Sequence, residues 1–349
     1  MVLVGQVLVS KGRSRSVYAV SIFGCFGDSV IVHSLFSKMS AILTNKLTIE
    51  SAEISDRHVV MRVDYNVPLD KKTREVTDPR RIIATVPTIN CIFKKGAYKL
   101  VLISHLGRPD GTKEDKNSLK YVVPTLEKAI GRKVIFVPEC VGPVVEETCK
   151  NAPKGSVILL ENLRFHLEEQ VKLTTKDGKK LKADPDAVKR FRHSLSSLGD
   201  VYVNDAFGAA HRAHSSIVGI ELPVRAAGLL MKKELECFSK VLEEPQRPLL
   251  AVLGGVKVSD KLPLIENLLD KVNEMIIGGA MAFTFKKVLD NMSIGKSVFD
   301  ANGAKLVEGL MMKAKEKNVK IHLPVDFIAA DKFDKSTYNA SFEIVRVLT

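Results

Sequence analysis

The chain has 349 residues, enough for about two domains with sizeable hydrophobic cores, and this length excludes a single small module held together by disulfides. Apolar residues make up 45% and charged residues 27%, a composition typical of an ordinary globular protein, which excludes a disordered or collagen-like chain. The formal net charge of +13 predicts attraction to anions without distinguishing nucleic acid, acidic membrane or a small phosphorylated molecule.

The cysteines and the apolar windows indicate the compartment. Five cysteines occur without a CxxC motif or paired spacing, so neither a disulfide framework nor a zinc ribbon is indicated. Asp28 and His33 interrupt the most apolar window, residues 17–36, so the sequence predicts no membrane-spanning helix. We therefore predict a soluble protein of a reducing compartment, without a membrane partner.

Residues 1–38 differ from the rest of the chain, because they carry several basic residues but only one acidic residue, Asp28. A targeting segment is one interpretation, although the basic cluster follows the apolar decapeptide instead of preceding it, which is wrong for a secretory signal. The alternative is an extension of unknown role in front of Met39.

From Arg57 onward, short β-branched runs alternate with amphipathic stretches. The predicted strands are residues 58–63, 99–103, 133–137, 157–160, 201–203, 249–253, 274–277 and 320–323. The predicted helices are residues 81–95, 121–130, 186–198, 261–271 and 304–317. This alternation predicts an α/β fold with doubly wound, Rossmann-like parallel sheets, which bind ligands at the carboxyl ends of their strands.

Residues 226–242 lie between Pro223 and Pro248 and are predicted to form one long helix that bridges two domains. We predict a first domain at residues 39–225, a hinge helix at residues 226–244 and a second domain at residues 245–349. The lysine run around Gly178 is typical of a solvated hairpin tip.

Polar and basic side chains follow every main strand of the first half, and Arg81 opens a helix. They are Asp64, Asn66, Ser104, His105, Arg108, Arg164, His211 and Arg212. Because parallel strands end at one edge of the sheet, four arginines and two or three histidines are expected together there. Clustered guanidinium groups repel one another unless an anion lies among them, so this pattern predicts a small, multiply anionic substrate. We interpret the histidines as positioning groups rather than general bases.

Two glycine pairs follow strands of the second half, and two lysines spaced four apart follow the first pair. These residues are Gly254, Gly255, Gly278, Gly279, Lys257 and Lys261. Glycines let backbone amides approach an anion, and the lysines are expected on one face of the helix that begins there, so the pattern predicts nucleotide binding. The motif is not GxxxxGK[ST], which excludes a Walker A loop. Asp260 is a candidate Mg²⁺ ligand, with an exposed carboxylate at a helix start as the alternative.

Six stretches carry a family resemblance. They are RVDYNVP (62–68), SHLGRPDG (104–111), ENLRF (161–165), NDAFGAAHRAH (204–214), GGVK (254–257) and LPVD (323–326). In order and spacing they closely resemble phosphoglycerate kinases of the eukaryotic, cytosolic type, from about Met39 to Asp334.

The resemblance implies site residues in both domains. Those implied to bind 3-phosphoglycerate or 1,3-bisphosphoglycerate are Val63, Asp64, Tyr65, Asn66, Arg81, Ser104, His105, Gly107, Arg108, Leu163, Arg164, His211 and Arg212. Those implied to contact ATP or ADP are Gly255, Val256, Lys257, Lys261, Gly278 and Gly279, with Asp260 near Mg²⁺.

The implied reaction is reversible phosphoryl transfer between ATP and the carboxylate of 3-phosphoglycerate, a step of glycolysis and gluconeogenesis. A carboxylate with a pKa near 4 is already ionised at neutral pH, so no strong base is needed and catalysis depends on positioning and charge neutralisation. Arg81 and Lys257, with Mg²⁺, are the candidates for that task. The resemblance further implies a monomer whose domains close around small-molecule substrates. A nucleic-acid partner is not expected, because the basic residues interleave with aspartates rather than with stacking aromatics.

Three features depart from the family pattern. Residues 1–38 lack a counterpart, and Val256 and Ala280 replace the family's alanine and glycine. After Asp334 the resemblance is expected to end, and the family's Gly-Gly-Gly-Asp-Thr loop does not occur, so the second domain is expected to be incomplete with an exposed strand edge. Two interpretations stay open: an active phosphotransferase, or a truncated, non-catalytic phosphoglycerate-binding isoform or gene-model fragment.

Overall fold

The computed structural model describes residues 2–7, 17–22, 46–175, 177–242, 245–330 and 339–343. The chain divides into two compact units. One is Ile42–Glu236, and the other combines Met1–Ala41 with Cys237–Thr349.

Two strands, β1 (Val2–Val7) and β2 (Val17–Ile22), lie within the N-terminal segment whose role the sequence left open. They pair with each other in antiparallel orientation. This segment therefore contributes regular secondary structure to the second unit.

The unit Ile42–Glu236 contains eight strands and seven complete α-helices among its described residues. Its strands are β3 (His58–Arg62), β4 (Lys99–Ile103), β5 (Val134–Val137), β6 (Val157–Leu160), β7 (Lys172–Thr174), β8 (Lys180–Lys182), β9 (Val201–Asn204) and β10 (Val224–Ala227). Its helices are α1 (Arg80–Ile83), α2 (Val86–Lys94), α3 (Val123–Ile130), α4 (Pro143–Asn151), α5 (Leu167–Gln170), α6 (Pro185–Ser196) and α7 (Ser215–Val218).

Six of these strands form one parallel sheet in the order β10-β9-β3-β4-β6-β5. Successive residues of β3 enter different cores: Val59 and Met61 pack in one buried cluster and Val60 packs in another. The sheet is thus buried on both faces, as expected for parallel strands covered by helices. The predicted α/β fold with parallel sheets is confirmed, and five of its predicted strands lie within one residue of their observed bounds.

Prolines interrupt two of the predicted helices. The stretch predicted at residues 81–95 is two helices, α1 and α2, because Pro87 in the first turn of α2 lacks the amide proton needed to continue a preceding helix. The helix predicted from residue 121 begins at Val123 after a 3₁₀ turn, again with a proline, Pro124, in its first turn. The helix α4 was not predicted from the sequence.

The long bridging helix begins later than predicted. Ala226 and Ala227 belong to the parallel strand β10, which pairs with β9, and the helix α8 runs from Leu229 to Leu242. The amide of Gly228 donates to the carbonyl of Asn204, so the chain leaves the sheet at this glycine before the helix starts. Pairing with β9 therefore overrides the helical tendency of the two alanines.

The rest of the second unit consists of β11 (Leu249–Gly254), α9 (Leu262–Leu269), β12 (Glu274–Gly278), α10 (Met281–Asp290), α11 (Ala301–Glu316), β13 (Lys320–His322), β14 (Asp326–Ala330) and β15 (Asn339–Glu343). Its main sheet has the order β1-β2-β11-β12-β13, and β14 pairs separately with β15. The strand β2 runs parallel to β11, so this edge of β11 is paired with the N-terminal segment.

Burial in this second sheet alternates along β11. Leu249, Ala251 and Leu253 are buried in a core with helices α9, α10 and α11, whereas Leu250 and Val252 between them are only partly buried. The described part of this sheet is therefore covered more completely on one face than on the other.

The predicted hairpin around Gly178 and the predicted lack of a membrane-spanning helix concern described residues. The strands β7 and β8 form an antiparallel hairpin whose connection contains Gly178 at a φ of +79°, which confirms the hairpin tip. Within the described residues, no helix has both the length and the apolar character needed to cross a bilayer.

Candidate active site

The polar residues predicted at the carboxyl ends of β3, β4, β6 and β9 come together at one edge of the first sheet. Asp64 forms an ion pair with Arg81, with 2.5 Å between Oδ2 and Nη1. The Arg81 side chain remains 48% exposed, so part of its guanidinium still faces outward. The carboxylate therefore orients this arginine while leaving donors for an anion.

A tight loop after β4 links two further predicted residues. The amide of Gly107 donates to Asn66 Oδ1 at 2.8 Å, and the Gly107 carbonyl accepts from Arg164 Nη1 at 2.9 Å. Gly107 has a φ of +66°, and a Cβ there would overlap the side chain of Asn117. Only glycine fits this position, which places Asn66 and Arg164 on either side of the loop.

Arg164 lies in the electrostatic field of three other arginines. Burial, followed by repulsion from Arg62, Arg108 and Arg212, lowers the pKa of Arg164 to about 10, and Glu169 opposes this shift. Its Nε atom is buried and has no hydrogen-bond partner among the described residues. A cationic group held under this repulsion is expected to bind an anion strongly. The anion offsets the repulsion between the arginines and supplies an acceptor for the unsatisfied donor.

Histidines surround this cluster and are held neutral. Burial and the nearby Arg212 lower the pKa of His211. Burial, then Arg164 and Arg62, lower the pKa of His214 to about 3. Neither ring therefore adds a proton to the arginine cluster at neutral pH.

Several of the site residues implied by the resemblance have side chains inside the core. The side chains of Val63, Tyr65 and Leu163 are fully buried, so only their backbone atoms could meet a ligand. The Tyr65 hydroxyl bonds to Thr85 at 3.0 Å, and burial raises its pKa. Ser104 accepts the Tyr65 amide at 2.9 Å and shapes the loop from within. Arg108 and Arg212, by contrast, are exposed or half-buried beside the cluster.

A buried network beneath the site was not predicted from the sequence. Arg62, the last residue of β3, is fully buried with Glu169, and their side chains lie 3.9 Å apart. Glu169 accepts hydrogen bonds from the hydroxyl and amide of Ser216 at 2.6 and 2.9 Å. The sequence does carry a signal for this network, because Arg62 stands in a β-branched run directly before Val63-Asp64. A charge in a buried strand requires a partner.

Asp205 connects the same loop region to the start of α8. It accepts from the Thr88 hydroxyl at 2.7 Å and from the Met231 amide at 3.1 Å, while Thr88 Oγ1 accepts from the Leu229 amide at 2.9 Å. These bonds satisfy amides of the first turn of α8, which otherwise lack partners. The loop that carries His211 and Arg212 thus shares one anchoring residue with the helix.

In the second unit the two glycine turns lie in contact. Gly255 accepts a hydrogen bond from the Met281 amide at 2.9 Å, and a Cβ on Gly279 would lie 3.0 Å from the Gly255 carbonyl oxygen. Gly279 has a φ of +69°, so its conformation also requires glycine. Gly278 ends β12, and Val256 beside this turn is 56% exposed.

The two lysines do not share a helix face, contrary to the prediction. The helix α9 begins at Leu262, so Lys261 lies at its N-cap and Lys257 lies in the loop before it. Pro263 in the first turn of α9 and the bonds from Ser259 to Asp300 at 2.8 and 2.9 Å fix this late start. Lys257 is exposed, whereas Lys261 is only 8% exposed. The aliphatic part of the Lys261 side chain packs near Gly255.

The sequence model described as phosphoglycerate kinase matches residues 49–347. The chain belongs to the phosphoglycerate kinase family. The matched region extends past Asp334, so our expectation that the resemblance ends there was wrong.

Relatives of known name agree with this family assignment. The chain is 61% identical over 293 residues to the phosphoglycerate kinase of Neurospora crassa, covering 84% of this chain and 70% of that relative. It is 58% identical over 295 residues to phosphoglycerate kinase 1 of Homo sapiens, again covering 84% and 70%. These fungal and human relatives fit the eukaryotic type predicted from the motifs.

Solved structures agree as well. Phosphoglycerate kinase from Coxiella burnetii superposes with a TM-score of 0.66 and 34% identity, covering 85% of this chain and 71% of that chain. The enzyme from Pyrococcus horikoshii gives the same TM-score at 26% identity.

Proposed function

We propose that the arginine cluster of the unit Ile42–Glu236 binds 3-phosphoglycerate or 1,3-bisphosphoglycerate, and that the glycine turns of the second unit bind ATP or ADP. Family membership assigns the reaction, ATP:3-phosphoglycerate 1-phosphotransferase, EC 2.7.2.3, which belongs to glycolysis. The observation that carries the proposal is the convergence of Arg62, Arg108, Arg164 and Arg212 around one buried donor without a partner.

The residues of the anion site have separate tasks in this proposal. Arg164 and Arg212, which are both half-buried, supply positive charge that neutralises the substrate's phosphate and carboxylate groups. Asn66 and Gly107 shape the loop between them. Because the accepting carboxylate is ionised at neutral pH, no residue needs to remove a proton.

Arg81 and Lys257 are proposed to neutralise charge that develops on the transferring phosphoryl group. Arg81 is oriented by Asp64, and Lys257 is exposed in the loop after β11. Groups preorganised toward developing charge contribute more than groups that must be reoriented. Arg81→Ala and Lys257→Ala should therefore lower turnover far more than substrate or nucleotide binding, and unchanged turnover would refute the corresponding role.

Asp260 is proposed to hold Mg²⁺. The residue fits this task, because it is an exposed carboxylate in the loop before α9 and has no ion-pair partner among the described residues. When bound, Mg²⁺ would neutralise charge on the nucleotide phosphates. Lys261 and the turn at Gly255 and Gly279 would supply the neighbouring contacts to the nucleotide.

The domain boundaries remain those proposed from the sequence, at residues 39–225, 226–244 and 245–349. The two compact units support this division, since the change from one to the other falls between Glu236 and Cys237, inside α8. A helix that begins in one unit and ends in the other is a suitable hinge element for closure.

We further propose a cytosolic monomer with small-molecule substrates. The cysteines that the structure describes, at positions 91, 140, 149 and 237, are all free thiols, which suits a reducing compartment.

Calorimetric titration with 3-phosphoglycerate and separately with Mg·ATP, followed by a turnover assay on the same sample, tests the whole proposal. Both ligands should bind and turnover should appear. Arg164→Gln should weaken phosphoglycerate binding about a hundredfold by removing a charge-assisted bidentate contact, and the exposed Arg190→Gln is the matched control. Binding of phosphoglycerate alone, without turnover, would instead favour the non-catalytic interpretation.

A further inference from the structure

The buried arginine Arg62 makes a set of contacts that the proposed site alone does not explain. Its Nε donates to Ser216 Oγ at 2.9 Å, and its Nη1 donates to the carbonyl of Val63. Its Nη2 lies 3.1 Å from Nδ1 of His105. Both side chains are buried, with Arg62 at 0% and His105 at 5% exposure. The guanidinium is therefore fixed in one orientation against one ring nitrogen.

The chemistry of this contact determines the histidine's tautomer. A guanidinium group donates hydrogen bonds and cannot accept them, and arginine stays protonated in proteins. Nδ1 of His105 must therefore be the acceptor, which leaves the ring's single proton on Nε2. Among the described residues none accepts a hydrogen bond from Nε2, and His105 as a whole is 5% exposed.

We propose that Arg62 is a positioning residue that holds His105 as the neutral Nε2–H tautomer, so that Nε2–H is a permanent hydrogen-bond donor to the anionic substrate. This inference rests on the anion site proposed above. It gives the cluster a donor that carries no charge, beside arginines that already repel one another.

The groups around His105 keep this donor in place across a wide pH range. Burial, followed by Arg164, Arg62, His214 and Arg81, lowers the pKa of His105 well below its usual value. The carboxylate of the network, Glu169, already accepts two hydrogen bonds from Ser216. Protonation of Nδ1 would also direct two positively charged donors at each other, so the neutral ring persists at neutral and mildly acidic pH.

Nitrogen NMR on the unliganded wild-type protein, labelled with ¹⁵N-histidine, tests the tautomer directly. The His105 resonances, assigned by their loss in His105→Gln, should show a pyridine-like Nδ1 and a pyrrole-like Nε2, unchanged between pH 6 and pH 8. A pyrrole-like Nδ1, or an imidazolium at pH 6, would overturn the proposal. Because no substrate is present, this outcome is independent of whether the anion site itself is correctly assigned.

Titration with 3-phosphoglycerate then links the tautomer to binding. The Nε2–H proton should shift on saturation, and Arg62→Met should weaken binding about tenfold at pH 8, the value of one hydrogen bond. In Arg62→Met the His105 nitrogens should lose their separate pyridine-like and pyrrole-like signals and approach a mixture of the two neutral tautomers, because burial and Arg164 still oppose protonation of the ring. Nitrogen signals of His105 that are unchanged in Arg62→Met would indicate a merely structural role for this arginine and overturn the proposal. Arg190→Met, an exposed arginine on α6, is the control. If Arg62→Met does not fold, the wild-type spectrum still decides the question.

Discussion

The protonation of Asp205 should control a pH-dependent part of the stability of the unit Ile42–Glu236. This carboxylate is fully buried, and burial raises its pKa from 3.8 to about 6, although the Thr88 hydroxyl and the Met231 amide both donate to it. The cost of desolvating the charge therefore exceeds the stabilisation from these hydrogen bonds.

The sign of the effect follows from proton linkage. In the unfolded chain Asp205 titrates near its ordinary value of 3.8, so between about pH 4 and pH 6 the folded form retains a proton that the unfolded form has released. The free energy of unfolding should therefore fall as the pH rises through this window and stay level above it. At about 1.4 kcal/mol per pH unit, the decrease amounts to roughly 3 kcal/mol.

Asp205→Asn separates this residue from other titrating groups. The amide has the same shape, cannot ionise, and keeps an oxygen that can accept from Met231. Urea unfolding of both proteins at a series of pH values can be followed by tyrosine fluorescence, because the chain has no tryptophan and four of its six tyrosines lie in this unit, at Tyr65, Tyr98, Tyr121 and Tyr202. The exposed Asp177→Asn in the hairpin is the matched control.

The free energy of unfolding of Asp205→Asn, minus that of the wild type, should rise by about 3 kcal/mol between pH 4 and pH 7. A difference that does not change with pH would refute the reasoning. A difference that falls with pH would show that the hydrogen bonds outweigh the desolvation.

Three further outcomes are expected. Gly228→Ala should lower the free energy of unfolding by about 2 kcal/mol or more in the same urea assay, because the added Cβ would overlap the carboxylate of Asp205. The control is Gly131→Ala, where the added Cβ meets open space. Its free energy of unfolding should fall only by the cost of placing alanine in a left-handed conformation. Gly279→Ala should weaken Mg·ATP binding by calorimetry, since the added Cβ strains the turn against Gly255 at a φ of +69°; wild-type affinity would contradict a nucleotide-binding role for this turn. Burial raises the pKa of the Cys140 thiol, so brief iodoacetamide treatment followed by mass spectrometry should leave it unmodified, and rapid labelling of the native protein would contradict its burial.

The strands were predictable because burial imposes a simple composition on them. A parallel strand covered on both faces must be almost wholly apolar, and this is why the run at β4 could be recognised with its observed bounds. The residues after each strand could be assigned to one sheet edge for the same geometric reason, and the observed pairing of Asp64 with Arg81 agrees with that placement.

The start of α8 could not be predicted from local pattern. Ala226 and Ala227 favour a helix in isolation, but pairing with β9 and the bonds from Asp205 and Thr88 to the first turn place the boundary after Gly228. Propensities of a few tenths of a kcal/mol per residue are smaller than the strand hydrogen bonds and packing that oppose them.

What the sequence by itself determined is the family, most strands of the parallel sheets, and the residue types at the strand ends, because motif spacing and hydrophobic periodicity are local properties of the chain. Only the tertiary structure decided that Arg62 lies against His105, that Glu169 lies beneath the arginine cluster, and that the segment containing β2 pairs with β11. These partners are separated by tens to hundreds of residues, and their contacts depend on which groups remain unsatisfied once the sheets are assembled and buried.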